Sequence, residues 1–275
     1  MRTIPDSFDH GAVAAIDALL AAVAADENVA IPLAVESGSR AWGFPSPDSD
    51  YDCRFVFVRS QEAYLSPWRA RDVIEREPDD LLDVNGWDLK KAIQLLVKGN
   101  ATITEWMTSP VTYVRAPDLV EDFLALADEI GDRALVGRHY LHVARQQWSR
   151  FAANDDDDAP VPLKKVFYSL RPALALRWLN EHHETTVPPM ALADLVVQTN
   201  LRAVEVRAVE DLIAAKSLTS EMGTGPVDPV IRGLIGAELV DYPWLDRLRP
   251  DAERFAAREA GAELFRRQLA LHGPE

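Results

Sequence analysis

The chain has 275 residues, 48% of them hydrophobic and 27% charged, with a formal net charge of −15. That length supports one large domain or two modest ones, and the composition is that of a soluble globular protein. The acidic balance argues against broad binding to a nucleic-acid duplex, which relies on Lys and Arg meeting phosphates. No stretch approaches the roughly twenty apolar residues of a membrane span, and Met1 to Phe8 lacks the apolar core of a secretory signal, so a cytoplasmic location is expected. The one cysteine, Cys53, excludes an intrachain disulfide and reads as a buried, inert thiol.

Residues 9 to 24 place Val13, Ile16, Leu19, Leu20 and Val23 at helical spacing, which predicts an amphipathic helix ended by Asp26-Glu27-Asn28. Val29 to Val35 predicts the first strand, and Pro32 within it points to an edge position or a late start to its pairing. This strand runs into a polar turn at Gly38-Ser39. A second strand, Asp50 to Val58, then begins Asp50-Tyr51-Asp52. Side chains alternate across a strand, so Asp50, Asp52 and Arg54 share one face and Tyr51, Cys53, Phe55 and Phe57 the other. The second face is core, while the first is polar where a solvated cleft requires it. Two carboxylates on one face of a rigid strand suit Mg2+, which takes oxygen ligands from one or two carboxylates and from substrate phosphates. Gly38 and Ser39 offer a tight turn whose backbone N–H groups and hydroxyl can meet a phosphate. Arg54 either neutralises the Asp pair, touches a phosphate, or forms a plain salt bridge.

Further along, Asp72 to Glu77 and Leu81 to Trp87 predict a hairpin with Pro78-Asp79-Asp80 at its turn; Asp83, Asn85 and Trp87 fall on one face of its second arm. Asp88 precedes Leu89-Lys90-Lys91 and reads as a helix cap. The helix 89 to 98 stops at Gly99-Asn100. A helix around Thr102 to Met107 follows, whose Glu105-Trp106 reads as a packed Trp beside a solvated Glu. The second half is helical. Arg133 to Phe151 forms one helix, Ala152 to Pro162 breaks it, and the run Asp155 to Asp158 reads as a solvated loop. Leu163, Phe167, Leu170, Leu174 and Trp178 form the apolar stripe of the next helix, with Lys164, Lys165, Tyr168 and Arg171 on its polar side. Between Arg133 and Arg177 eight Lys and Arg face four Asp, a local basic surface suited to one phosphate-bearing ligand. Lys165 and Arg171 read equally as a phosphate grip or as an exposed polar face. His182-His183 reads as surface. Helices near 190 to 216 and 251 to 271 complete the chain, with Lys216 and Glu221 as late candidates for the site.

Gly38-Ser39 followed at this distance by Asp50-Tyr51-Asp52 resembles the signature of the DNA polymerase β superfamily of nucleotidyltransferases. The runs Glu36-Ser-Gly-Ser-Arg-Ala-Trp-Gly-Phe44, Ser49-Asp-Tyr-Asp-Cys-Arg-Phe55, Asn85-Gly-Trp-Asp-Leu-Lys-Lys91 and Lys98-Gly-Asn-Ala-Thr-Ile-Thr-Glu-Trp106 narrow the resemblance. They look like the predicted nucleotidyltransferases found beside RNA-ligase repair systems, the RlaP-like subgroup. Lys164-Lys-Val-Phe-Tyr-Ser-Leu-Arg-Pro172, Arg177-Trp178 and Pro188-Pro-Met190 extend it to most of the chain. Cys53 and Ala101 depart from the subgroup pattern, away from the metal positions.

The resemblance implies an α+β fold: a polymerase-β-like catalytic domain over 1–117, with a small mixed sheet and helices, then a helical domain over 118–275. It also implies a third carboxylate on a neighbouring strand, for which Asp83 is preferred over Asp88. The expected reaction moves a nucleoside monophosphate from an NTP, ATP favoured, to an acceptor and releases pyrophosphate. The acceptor is an RNA end in a repair context or, for an antitoxin-like adenylyltransferase, a protein; a nucleotide-binding module without catalysis is the other alternative. Two Mg2+ ions, or Mn2+, would sit on Asp50, Asp52 and Asp83. Gly38, Ser39, Arg40, Ser49, Arg54, Lys165 and Arg171 would contact the nucleotide and its phosphates.

Overall fold

The computed structural model describes residues 2–68, 70–76, 81–151, 160–218 and 222–274. Packing groups the chain into two compact units: 1–41 with 50–131 and 249–275, and 42–49 with 132–248. These bounds are not those of a single cut at 117/118. The chain crosses between units four times, because the loop 42–49 and the last helix each pack away from their neighbours in sequence.

The first unit starts with α1 (His10–Glu27), capped by the Asp9 side chain, which accepts from the Ala12 N–H at 2.8 Å, and closed by Asn28 in the left-handed region at φ 51°. Then come β1 (Ala30–Ser37), the short α2 (Gly38–Trp42), β2 (Tyr51–Val58), α3 (Gln61–Leu65), β3 (Val73–Glu75) and β4 (Leu82–Asp88). Helices α4 (Leu89–Val97) and α5 (Ala101–Met107), strand β5 (Thr112–Arg115) and helix α6 (Pro117–Glu129) follow. The sheet order is β3-β4-β2-β1-β5, with β2 and β4 parallel and every other pair antiparallel. The sheet is therefore mixed, within a mixed α/β protein.

Pro32 does not mark an edge, since β1 lies between β2 and β5. The strand accommodates the missing N–H with a register shift between Ala30 and Leu33, while the Pro32 carbonyl accepts from the Ala116 N–H at 2.8 Å. The alternation read along β2 holds. Tyr51, Cys53, Phe55 and Phe57 join Val13, Ile16, Leu20 and Val23 of α1 in one buried cluster. Asp52 and Arg54 point to the opposite face. The β3–β4 hairpin is present, and its expected turn, Pro78-Asp79-Asp80, lies outside the described residues. Helices α4, α5 and α6 pack against β1, β2 and β4.

The second unit has α7 (Arg133–Phe151), β6 (Val161–Pro162), α8 (Leu163–Glu181), α9 (Leu192–Gln198), α10 (Ala203–Leu218), β7 (Thr224–Gly225) and α11 (Pro229–Glu238). The helical region near 190 to 216 consists of α9 and α10. Helix α8 is buried nearly all round from Val166 to Leu179, with α7, α9 and α11 against it, so it is a core helix rather than an amphipathic one. The Asp155 to Asp158 run lies outside the described residues.

Helix α12 (Asp251–His272) returns to the first unit and packs on α4 and α6. Gly261 makes that approach close: a Cβ there would stand 3.1 Å from Ile93 and 3.2 Å from Val97. Among the described residues no helix is long and apolar enough to cross a membrane.

Candidate active site

The parallel register of β2 and β4 pairs Asp52 with Asp83 and Arg54 with Asn85. Two carboxylates from neighbouring strands therefore stand side by side on one sheet face, the face not taken by α1. The Arg54 guanidinium spans them: Nη2 donates to Asp52 Oδ1 at 2.9 Å and to Asp83 Oδ2 at 2.7 Å, while Nη1 donates to the Asp83 carbonyl at 2.8 Å. Arg54 thus forms a salt bridge that joins both strands and neutralises part of the Asp pair through Asp52. Asp88 falls on the other face of β4 and caps α4, accepting from the Lys90 N–H at 2.8 Å and from the Tyr64 hydroxyl. Its side chain is committed there.

Gly38 explains the Gly-Ser pair physically. Its φ is +64°, and a Cβ on it would stand 2.0 Å from Asp52 Oδ2. The Asp52 carboxylate thus lies directly against the Gly38 backbone, a contact that only glycine allows. Ser39 and Arg40 follow on α2, both half-buried. The Arg40 guanidinium lies 3.9 Å from the centroid of the Tyr51 ring, and its Nε donates to the Asp50 carbonyl at 3.1 Å. Asp50 itself sits one residue before β2 and is exposed.

Burial pushes the Asp52 carboxyl up to about 6; Arg54 opposes the rise, while Asp83 and Asp50 add to it. Arg54 and Arg40 against Asp50, Asp52 and Asp83 leave the face short of positive charge. The donor set suits a hard cation, being all oxygen. As placed, the three aspartates do not gather into one cluster: among the described residues no group of three or more His, Cys, Asp or Glu stands where it could hold a metal ion.

Glu36, just past the expected end of the first strand at Val35 and among the residues that strand was expected to deliver to the site, is a structural member of it. It is fully buried on β1; Oε1 accepts from the Asp52 N–H at 2.8 Å and Oε2 from the Tyr113 hydroxyl of β5. Its backbone is held as well, the Ser109 hydroxyl donating to its carbonyl at 2.7 Å. Burial raises its carboxyl to about 7, against the pull of Tyr113 and of the Asp52 N–H. The available signal was alternation: Glu36 has the phase of Ala34, whose face is core.

The remaining phosphate candidates belong to the second unit. Ser49 closes its own turn, its hydroxyl accepting from the Ser46 N–H at 2.8 Å. Lys165 lies with Nζ 4.9 Å from the centroid of the Tyr168 ring. Arg171 is not on an exposed polar face: it is buried, its Nε donates to the Met190 carbonyl at 2.8 Å, and its guanidinium covers the Trp42 ring at 4.9 Å. The cause is the all-round burial of α8. Glu105, expected to be solvated, is buried on α5 beside Trp106, whose ring packs on Trp87 at 4.1 Å. Glu221 lies outside the described residues.

The family model of the RNA repair pathway DNA polymerase beta family, RlaP, matches residues 13–266. The chain belongs to the RlaP family. Among curated proteins it is similar to YcgL of Bacillus subtilis (strain 168), an uncharacterized protein, with 38% identity over 216 residues covering 77% of this chain and 79% of that one. The match spans both units, so the RlaP family is defined by the helical unit as well as by the acidic sheet face.

Proposed function

We propose that this RlaP protein is a metal-dependent nucleotidyltransferase that moves a nucleoside monophosphate from an NTP, ATP favoured, to an acceptor hydroxyl such as an RNA end. The observation that carries this reading is the pairing of Asp52 with Asp83 on adjacent parallel strands, with the Asp52 carboxylate against the Gly38 backbone. The family's place among polymerase-β-like proteins supports it.

The acceptor oxygen attacks the α-phosphorus, the bond to the bridging oxygen breaks, and pyrophosphate leaves. Asp50 and Asp52 would hold Mg2+, with Asp83 completing the ligand set. Mg2+ when bound supplies charge neutralisation at the attacking and leaving oxygens. Asp83 accepts the proton that the acceptor hydroxyl loses. The Gly38 backbone and the Ser39 hydroxyl hold the phosphate tail, with Arg40 as a second contact. Arg54 keeps Asp52 and Asp83 aligned, and Glu36 anchors the backbone of Asp52 from below the face. A cytoplasmic location suits this substrate.

The test is pyrophosphate release from each of the four NTPs with several RNA ends, in Mg2+ or Mn2+. Activity that needs the metal and disappears in Asp50→Ala/Asp52→Ala supports the reading; release that persists in the double variant sinks it. With labelled ATP, RNA and cell lysate together, label in RNA supports the RNA acceptor, and label in a polypeptide transfers the same chemistry to a protein acceptor.

A further inference from the structure

In the helical unit, Lys216 of α10 is only 2% exposed. Its Nζ stands 4.6 Å from the centroid of the Phe44 ring and 5.2 Å from that of Phe167, and these two rings stack on each other at 4.3 Å. Among the described residues no carboxylate pairs with it. Taking an ammonium out of water costs several kcal/mol, and an aromatic face returns about 0.5–2 kcal/mol. Two rings therefore leave the charge undercompensated. Lys164 of α8 makes the surroundings more positive, and among the described residues only the exposed Asp48 opposes it; burial, then Lys164, push the Lys216 amine down to about 8.

A second observation in the same cluster also calls for an acceptor. The Trp42 ring lies 5.8 Å from Phe44, and its Nε1 is buried without a hydrogen-bond partner among the described residues. Leaving such a donor unmet costs about 1–3 kcal/mol. The nearby cations Arg171 and Lys165 lie over Trp42 and Tyr168, so the cluster as a whole presents donors and positive charge. One carboxylate would neutralise only one of two coupled lysines. A phosphoryl group of charge −2 or more answers both, and its several oxygens can also meet an indole N–H.

We propose that Lys216 and Lys164, with the Phe44–Phe167 pair as walls, form an anion subsite for a polyanionic phosphoryl group such as pyrophosphate or the phosphate tail of a nucleotide. The ligand class fits the proposed reaction, but the subsite is argued from the helical unit alone.

Titration calorimetry on the full chain, in EDTA at neutral pH, tests it with pyrophosphate, ATP and adenosine. Pyrophosphate and ATP are expected to bind and adenosine not; tighter pyrophosphate identifies the free anion, and tighter ATP the nucleotide tail. Lys216→Met should weaken pyrophosphate at least about tenfold and raise the Tm without ligand, because a buried charge is removed. Lys164→Ala, at a partly exposed position, should weaken it measurably and guards against a folding defect in the first variant. Asp50→Ala/Asp52→Ala should bind pyrophosphate as the natural chain does, whatever happens to nucleotidyl transfer. The proposal is overturned if the natural chain does not bind pyrophosphate without metal, if both lysine variants bind it unchanged, or if the aspartate pair is needed for binding.

Discussion

In the sheet unit, charged side chains meet one another across strands: Arg54 donates to both Asp52 and Asp83. In the helical unit, Lys216, Arg171 and Lys165 rest instead on the faces of Phe44, Trp42 and Tyr168. The first cluster has more carboxylate than cation and the second more cation than carboxylate, so the first attracts cations and the second anions. The difference has a backbone origin. Paired strands set side chains in fixed rows, where Asp and Arg one residue pair apart must touch. The cations of the aromatic cluster stand on α8 and α10 where Phe44, Trp42 and Tyr168 supply ring faces, whereas Arg177 farther along α8 pairs with Glu181 and Glu238.

The largest test of this contrast is Asp50→Ala/Asp52→Ala, for which nucleotidyl transfer should fall by about 10³-fold or more while the thermal transition stays cooperative; unimpaired transfer would remove the sheet face from the chemistry. Asp83→Asn should lower kcat about 10²-fold, whereas Asp88→Asn, at a helix cap, should show itself in Tm and not in kcat. Gly38→Ala forces a Cβ onto the Asp52 carboxylate at a left-handed φ. The expected loss is about 1–3 kcal/mol of stability, read by denaturant unfolding, together with activity.

A further effect is the pH dependence of the acidic cluster. Burial holds Glu36 near 7, above its ordinary 4.5, so the folded chain binds this proton more tightly than the unfolded one. The resulting stability is fully present below about pH 4.5 and is lost as pH rises to about 7, on the order of 3 kcal/mol at most. Asp52, raised to about 6, acts in the same sense between about 4 and 6. Glu36→Gln should flatten the fall in unfolding free energy between pH 5 and 8; an unchanged slope would mean that Glu36 is ionised throughout.

Much of the site was legible because its signals are local. Asp52 and Arg54 fall on one strand face by alternation, Gly38 and Ser39 mark the turn, and Asp88 announces its cap immediately before α4. What escaped reading depended on partners distant in sequence. Pro32 left an edge position or a late start to pairing open because a strand does not declare its neighbours; β1 is internal, and its pairing with β5 begins only at Leu33. Arg171 has the helical phase of a polar face, and only the helices packed around α8 bury it. Glu36 lies just past the expected strand end at Val35, and only the folded chain puts Tyr113 and the Asp52 N–H on its two oxygens.

The amino-acid sequence by itself determined the special backbone position at Gly38, the strand that begins at Tyr51-Asp52 and most helix spans, all from side-chain period, capping chemistry and backbone permissiveness, which are short-range. Its motif runs separately carried the resemblance that the family match bears out. Only the tertiary structure decided that β2 and β4 run parallel and in the register that joins Asp52 to Asp83 through Arg54. It alone also sent α12 back to the first unit and left Lys216 among rings. Those outcomes rest on which distant surfaces exclude water together; local spacing marks which face is apolar, but hydrophobic burial, being non-directional, leaves no mark of the partner that covers it.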